Sequence, residues 1–123
     1  MGERLTEAGP FYIADFRPEW RSRPFISFWR PKNAGYAYPL SWSGRYDADQ
    51  LKPDYHERIE GRSVKRCAVP CAIVEARSVE PAPGMIDDDA GPVVMNTAAN
   101  RMALRKARYR IAGRSLLKEN PNG

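Results

Sequence analysis

The chain has 123 residues, of which 42% are hydrophobic and 28% are charged, and its formal net charge is +5. This length fits one domain, residues 1–123, and allows a core to form without disulfides or metals. No apolar run approaches the roughly 20 residues that a membrane-spanning helix needs, which excludes an integral membrane protein. Two cysteines and a polar N-terminus unlike a signal peptide predict a cytoplasmic location.

Charge and aromatic rings are distributed unevenly along the chain. Residues 1–98 contain 13 Lys/Arg and 14 Asp/Glu, whereas residues 99–123 contain seven basic residues against Glu119. Of the 13 aromatic residues, 12 lie between Phe11 and Tyr55. The charge pattern predicts a local anion-facing surface near the C-terminus, and the ring pattern predicts a sheet in the front half.

The predicted strands begin after residues 1–10, which we expect to be flexible. Residues 11–16 are rich in aromatic and β-branched side chains, which favour a strand. Residues 24–30 form the clearest strand pattern, and residues 36–42 are predicted to return as its hairpin partner at a sheet edge. The turn between them contains Asn33 and Gly35, which tolerate a positive φ.

The middle of the chain predicts shorter elements. Residues 47–61 are polar and weakly helical, with Pro53 limiting any helix. Residues 63–68 have a strand pattern, and Pro70 precedes a helix over residues 71–80. Residues 81–92 form a loop. Residues 93–95 are either a brief strand or a plug in the core.

The C-terminal helix, residues 97–112, has the most complete pattern. Asn96 or Thr97 is its N-cap, and Gly113 occupies the position just beyond its end. We expect residues 114–123 to be flexible. The predicted class is α+β: a small antiparallel sheet of three or four strands in the N-terminal half, with a short helix and this basic helix packed on it.

The basic helix is the strongest candidate site. Arg101, Arg105 and Arg108 are spaced four and then three residues apart, so they fall on one helical face, with Lys106 beside them. Arginine donates bidentate hydrogen bonds to phosphate, which predicts an anion-binding face. The alternative is that the helix dipole and solvent alone favour arginine here. We favour the binding interpretation.

The aromatic hairpin is the second candidate. Aromatic rings interleaved with cations can stack on bases while the cations hold phosphates. The predicted cations are Arg30, Lys32 and Arg45. The predicted stacking or partner-contact residues are Trp29, Asn33, Tyr36, Trp42 and Tyr46. Because about half of an aromatic strand must face the core, the hairpin tip is the favoured part (Lys32, Asn33, Arg45, Tyr46).

The sequence offers few groups for catalysis or metal binding. Cys67 and Cys71 have apolar neighbours and are predicted to be buried thiols, and His56 is the single histidine. Zinc normally takes four such ligands. Residues 87–89, three aspartates, lack the alternating ligands of a calcium loop and predict a solvated loop or a partner for the tail arginines. We therefore expect neither an enzyme nor a metal or other cofactor.

Several motifs resemble small uncharacterised phage and prophage proteins. The first is Trp29-Arg30-Pro31, followed by Gly35-Tyr36 and Gly44-Arg45-Tyr46. Residues 68–71, 83–87 and 91–96 share the likeness, which extends over about two-thirds of the chain. The arginine-rich tail departs from the pattern. The resemblance implies an origin in the mobile genome, and small phage accessory proteins commonly act by binding host machinery or host defence.

The expected function is therefore that of a phage-derived, non-enzymatic inhibitor acting on a host target in the bacterial cytoplasm. Its partner would be a host protein or an anionic nucleoprotein such as a defence complex, or nucleic acid itself; an anti-CRISPR role is one form of this. Two alternatives stay open: an oligomeric sponge for a nucleotide signal, and a virion assembly component. The sequence leaves the oligomeric state open.

Overall fold

One antiparallel sheet of five strands organises the computed structural model, which describes residues 9–86 and 90–111. The strands are β1 (Phe11–Asp15), β2 (Ser27–Trp29), β3 (Tyr36–Ala37), β4 (Arg58–Glu60) and β5 (Ser63–Pro70). Their order across the sheet is β3-β2-β1-β5-β4, so β1 is central. The α+β class and the antiparallel sheet are confirmed, but the sequence predicts three or four strands in the N-terminal half, whereas the sheet has five and β5 lies beyond that half.

The helices of the described residues are short. They are α1 (Pro53–His56), α2 (Cys71–Ala76) and α3 (Ala98–Lys106). Single 3-10 turns occupy Pro18–Trp20, Pro31–Asn33, Leu40–Trp42 and Ala48–Gln50. Proline precedes or begins most of these elements, because its fixed φ suits the first helical position and its missing N–H is not needed there.

The central strand is buried on both faces. On one face, Tyr12 and Ala14 pack in a core that contains Val74 of α2 and Leu104 of α3. On the other face, Phe11 and Ile13 pack in a second core with Trp29, Tyr46 and Leu51. Double burial explains why residues 11–14 are continuously apolar instead of alternating with polar residues.

The second strand of the predicted hairpin is much shorter than residues 36–42. Only Tyr36 and Ala37 pair with β2. Pro39 lacks an N–H, and the Leu40 N–H donates to the Pro92 carbonyl oxygen at 2.9 Å instead of to a strand. Residues 40–42 therefore turn away from the sheet edge. β2 also begins later than predicted, at Ser27.

The strand that the sequence does not predict is β4, because it lacks the apolar pattern of a buried strand. It is an edge strand of polar character, and Gly61 turns the chain into β5 with a φ of 63°. Charged side chains on an edge strand hinder pairing with other chains, so such a strand carries little hydrophobic periodicity. Similarly, α2 ends at Ala76 instead of residue 80, because Val79 pairs with Val93 in an isolated bridge.

The C-terminal helix begins as predicted and ends early. The Thr97 side-chain oxygen accepts a hydrogen bond from the Asn100 N–H at 3.1 Å, which confirms Thr97 as N-cap. Beyond α3, the Tyr109 N–H donates to the Ala68 carbonyl oxygen, and the Tyr109 ring stacks on Phe11 at 4.4 Å. The chain thus leaves the helix to add Tyr109 and Ile111 to the second core.

Some predictions fall outside the described residues. These are the flexible segments 1–8 and 114–123, the Gly113 cap and the aspartates 87–89. Residues 9 and 10 are described, and the Pro10 carbonyl oxygen accepts a hydrogen bond from the Cys71 N–H at 3.0 Å.

Candidate anion-binding face

The arginines of the C-terminal segment have different surroundings. Arg108 follows the end of α3, and its Nη1 lies 3.4 Å from Oε2 of Glu57, whose side chain is 2% exposed. The prediction that Arg101, Arg105 and Arg108 share one helical face is therefore wrong for Arg108. The helix ends at Lys106, and the Arg108 guanidinium belongs to an internal ion pair.

Arg101 and Arg105 contact neutral groups. The Arg101 guanidinium donates to Oδ1 of Asn96 at 2.7 Å. Arg105 Nε donates to the Val64 carbonyl oxygen at 3.0 Å, and its guanidinium carbon lies 4.7 Å from the Phe16 ring centroid. Neither forms an ion pair with a carboxylate among the described residues. Hydrogen bonds to neutral groups therefore hold both guanidinium groups in place, and no described carboxylate neutralises their charge.

A second basic segment, residues 17–23, carries functional candidates that were not predicted from the sequence. The guanidinium carbons of Arg17 and Arg23 lie 4.0 and 4.3 Å from the Trp20 ring centroid. Arg21 has no side-chain hydrogen bond or ion pair with any other described residue. Three arginines and a tryptophan within seven residues were the available signal, since cations beside an aromatic ring favour phosphate and base contacts.

Asn96 joins this segment to α3. Its side-chain nitrogen donates to the carbonyl oxygens of Trp20, Arg21 and Arg23, at 3.3, 3.2 and 2.8 Å. Its side-chain oxygen accepts from Arg101. One amide therefore fixes two basic segments that lie more than 70 residues apart in the sequence.

Electrostatic repulsion within this group is visible at Arg105. Burial lowers its pKa below the ordinary value, and the charges of Arg101 and Arg21 lower it further. Like charges disfavour each other's ionised form when they lie close together. The fold thus gathers three cations in one place at an electrostatic cost, which a bound anion would remove.

Two of the predicted stacking residues are structural. Trp29 is 5% exposed, and its Nε1–H donates to Oδ2 of Asp15 at 3.2 Å. Tyr46 is also 5% exposed, and its hydroxyl donates to the Arg30 carbonyl oxygen and accepts from the Asn33 N–H. Neither ring can stack on a partner, because both faces of the sheet need large side chains to fill their cores.

The predicted hairpin tip is similarly tied to the fold. Asn33 has a φ of 58°, and its Oδ1 lies 2.8 Å from Nε2 of the buried His56. Arg45 forms an ion pair of 2.6 Å with Glu75. Lys32 is exposed and also has a φ of 58°. Asn33 and Tyr46 are in contact, but their polar groups bond within the fold and Arg45 is paired with Glu75, so the tip does not present these groups to a partner.

The remaining hairpin residues line a pocket at the edge of the sheet. Tyr36 and Trp42 are each 39% exposed. Arg30 Nε donates to the Tyr36 carbonyl oxygen at 3.0 Å, and its guanidinium carbon lies 5.4 Å from the Trp42 ring centroid. The pocket, hereafter the edge pocket, has a volume of about 400 Å³. Its described walls include Arg23, Arg30, Tyr36, Tyr38, Pro39 and Trp42.

The edge pocket continues into the two basic segments. The rings of Trp20 and Tyr36 lie edge to face at 4.8 Å. Arg21 and Arg101 line one small recess with Trp20, and Arg105 lies within electrostatic reach of both. We call this continuous surface the arginine–aromatic face. It consists of Trp20, Arg21, Arg23, Arg30, Tyr36, Trp42, Arg101 and Arg105.

No family model, curated protein or solved structure matches the chain.

Within residues 9–86 and 90–111, no cluster of three or more His, Cys, Asp or Glu could hold a metal ion. In the same residues, no helix is long and apolar enough to cross a membrane.

The two cysteines and the histidine, which the sequence offers as candidate nucleophiles and base, are buried in the fold. Cys67 and Cys71 are buried free thiols, as predicted, and burial raises their pKa values to about 12 and about 11. Burial, with Arg66 and Lys52 nearby, lowers the pKa of His56 to about 4. His56 Nδ1 accepts from the Lys52 N–H at 2.9 Å, so its neutral form is fixed in place.

Proposed function

We propose that this chain is a non-enzymatic binding protein that holds nucleic acid, alone or within a nucleoprotein, on its arginine–aromatic face. The observation that supports this most directly is the group of five arginines on that face without a carboxylate partner among the described residues. They are Arg21, Arg23, Arg30, Arg101 and Arg105. By contrast, Arg17 pairs with Asp15, and Arg108 pairs with Glu57.

Nucleic acid suits this surface because it presents both chemistries that the face offers. Guanidinium groups bind phosphates through charge-assisted hydrogen bonds. Exposed Tyr36 and Trp42 and the half-buried Trp20 offer ring surfaces for bases. Glu19, the one acidic residue between Arg17 and Arg23, forms no ion pair with the described residues.

The state of the candidate nucleophiles supports the non-enzymatic part of the proposal. A thiol with a pKa of about 11 or 12 carries almost no thiolate near neutral pH. His56 is buried, and each of its ring nitrogens has a hydrogen-bond partner. A general base must reach a substrate proton, and an imidazole that is 1% exposed does not.

The phage origin, the host target and the cytoplasmic location rest on the sequence resemblance and stay part of the proposal. A nucleic-acid-binding face is compatible with an inhibitor that occupies the nucleic-acid channel of a host defence complex. The nucleotide sponge and the virion component stay predictions, and the mononucleotide experiment described below distinguishes the first of them.

The test measures the binding of a labelled DNA strand and of a labelled duplex by fluorescence anisotropy over a range of salt concentrations. We expect the Arg21/Arg101/Arg105→Gln variant to bind more weakly and its salt slope to fall by about 2, since each lost phosphate contact removes about 0.7–0.9. Glutamine keeps much of the aliphatic stem that packs on Phe16.

The matched control is the Lys52/Arg58/Arg110→Gln variant, which removes the same charge outside the face, from the exposed positions 52 and 110 and the half-buried position 58. It should retain nearly the full affinity and slope of the unmodified protein. Equal losses in the two triple variants would mean that net charge alone drives binding, and the proposed face would then be wrong.

A further inference from the structure

The edge pocket is a concave part of the arginine–aromatic face that is large enough for a small ring system and lined mainly by aromatic residues. Its volume of about 400 Å³ falls in the range of ligand pockets, roughly 300–1,000 Å³. Tyr36 and Trp42 contribute exposed ring surface, and Tyr38 packs edge to face on buried Phe25 at 5.4 Å. Its described walls are therefore largely aromatic.

Two cations lie at this aromatic pocket. Arg30 is held by the Tyr36 carbonyl oxygen through Nε, which leaves its Nη1 and Nη2 groups without a hydrogen-bond partner among the described residues. Arg23 lies over Trp20 and lines the same pocket. Among the described residues that line the pocket, none is acidic. A ring with an attached anion matches this arrangement.

The walls of the pocket are fixed by the backbone. Leu40, which precedes Trp42 by two residues, donates its N–H to Pro92, and Ser43 Oγ donates to the Pro39 carbonyl oxygen at 3.0 Å. Gly44 passes so close to Pro31 that an added Cβ would lie 2.8 Å from its Cα. These contacts hold the turn that carries Trp42 beside Arg30. A ligand that binds there would therefore need to order few protein groups.

We infer that the edge pocket takes an unpaired nucleobase together with its phosphate, the base against Trp42 and Tyr36 and the phosphate on Arg23 and Arg30. This inference rests on the proposed function and adds a preference to it. Bases in a duplex are stacked on each other and cannot enter a side pocket. The protein should therefore prefer single strands, or a free nucleotide, to duplex.

The first experiment compares an oligothymidine strand with a duplex of the same length. The Trp42→Leu variant removes the ring and keeps apolar bulk, so strand binding should weaken about tenfold or more while duplex binding stays nearly constant. Trp42→Phe should restore most of the affinity for the strand. The control is Tyr55→Leu, which removes a 48% exposed ring outside the face and should leave both affinities unchanged.

The second experiment uses calorimetric titration with thymidine 5′-monophosphate, thymidine and inorganic phosphate. We expect the monophosphate to bind more tightly than either part, and Arg30→Gln to weaken it to the level of thymidine. Equal binding of strand and duplex, with no response to Trp42→Leu, would overturn the pocket while leaving the basic face standing. If the protein instead binds the monophosphate but not the strand, the proposed nucleic-acid binding is wrong. The pocket would still be supported, and the nucleotide sponge would become the favoured function.

Discussion

Two groups of arginines on this small protein differ in their partners. Arg17 and Arg66 lie beside Asp15, a carboxylate that is 1% exposed in its side chain, and both contribute to holding it inside the fold. Arg21 and Arg101 lie on the arginine–aromatic face, where the described residues offer them no acid. We infer that the role of each arginine follows from its partner. The first group should affect stability, and the second should affect binding.

The largest effect is expected inside the fold, at Asp15. Burial raises its pKa, but hydrogen bonds from Arg17 and Trp29 outweigh this and hold the pKa below its ordinary value, so it is ionised at neutral pH. Asp15→Ala leaves Arg66 and the Trp29 indole without this acceptor and should reduce the free energy of unfolding by about 3–5 kcal/mol.

Urea denaturation measures this loss, and Asp15→Asn provides a folded variant if the alanine form is too unstable. DNA affinity per folded molecule should not change in either variant. A loss below about 1 kcal/mol would contradict the structural role of this acid.

The next effect depends on pH and involves His56. Its pKa is about 4 in the fold, compared with 6.5 when unperturbed, so the unfolded chain takes up a proton first as pH falls. Stability from this group is complete above about pH 6.5 and is lost as pH falls towards 4, by up to about 3 kcal/mol.

Urea midpoints at pH 7, 6 and 5 measure this loss, because Asp15 has a lowered pKa and does not titrate in that window. A His56→Gln variant should lack the dependence. If the unmodified protein is equally stable at pH 7 and pH 5, the buried neutral histidine is contradicted.

An intermediate effect on stability is expected at Asn96. Its side chain holds the fold together and also connects the two basic segments of the binding face. Asn96→Ala removes its bonds to three carbonyl oxygens and to Arg101. Stability should fall by about 1–2 kcal/mol, and DNA affinity should fall too because the two basic segments are no longer fixed together. A stability loss without any change in affinity would show that the segments act separately.

The smallest stability effect is expected on the face itself. Arg21→Gln removes an exposed cation without an ion-pair partner among the described residues, and it relieves repulsion with Arg105. Its free energy of unfolding should stay within about 0.5 kcal/mol of the unmodified protein, while its DNA affinity falls. A clear stability loss would mean that Arg21 has a structural role and would weaken the comparison between the two groups.

Local patterns in the sequence determined the main elements of the fold. The apolar residues 11–14, the N-cap at Thr97 and the positive φ at Asn33 and Gly35 all follow from side-chain or backbone preferences that act over a few residues. The same local reasoning correctly assigned Cys67 and Cys71 to the interior. It also identified Arg101 and Arg105, and the pair Tyr36 and Trp42, as candidates that the structure leaves available for binding.

Tertiary structure alone decided which candidates share a surface. Periodicity placed Arg108 beside Arg105, but burial of Tyr109 against Phe11 ends the helix and directs Arg108 to Glu57. Tertiary packing also buries Trp29 and Tyr46. Asn96 links the segment that carries Arg21 to Arg101. These outcomes depend on contacts between residues far apart in the chain, and spacing within one segment holds no information about them.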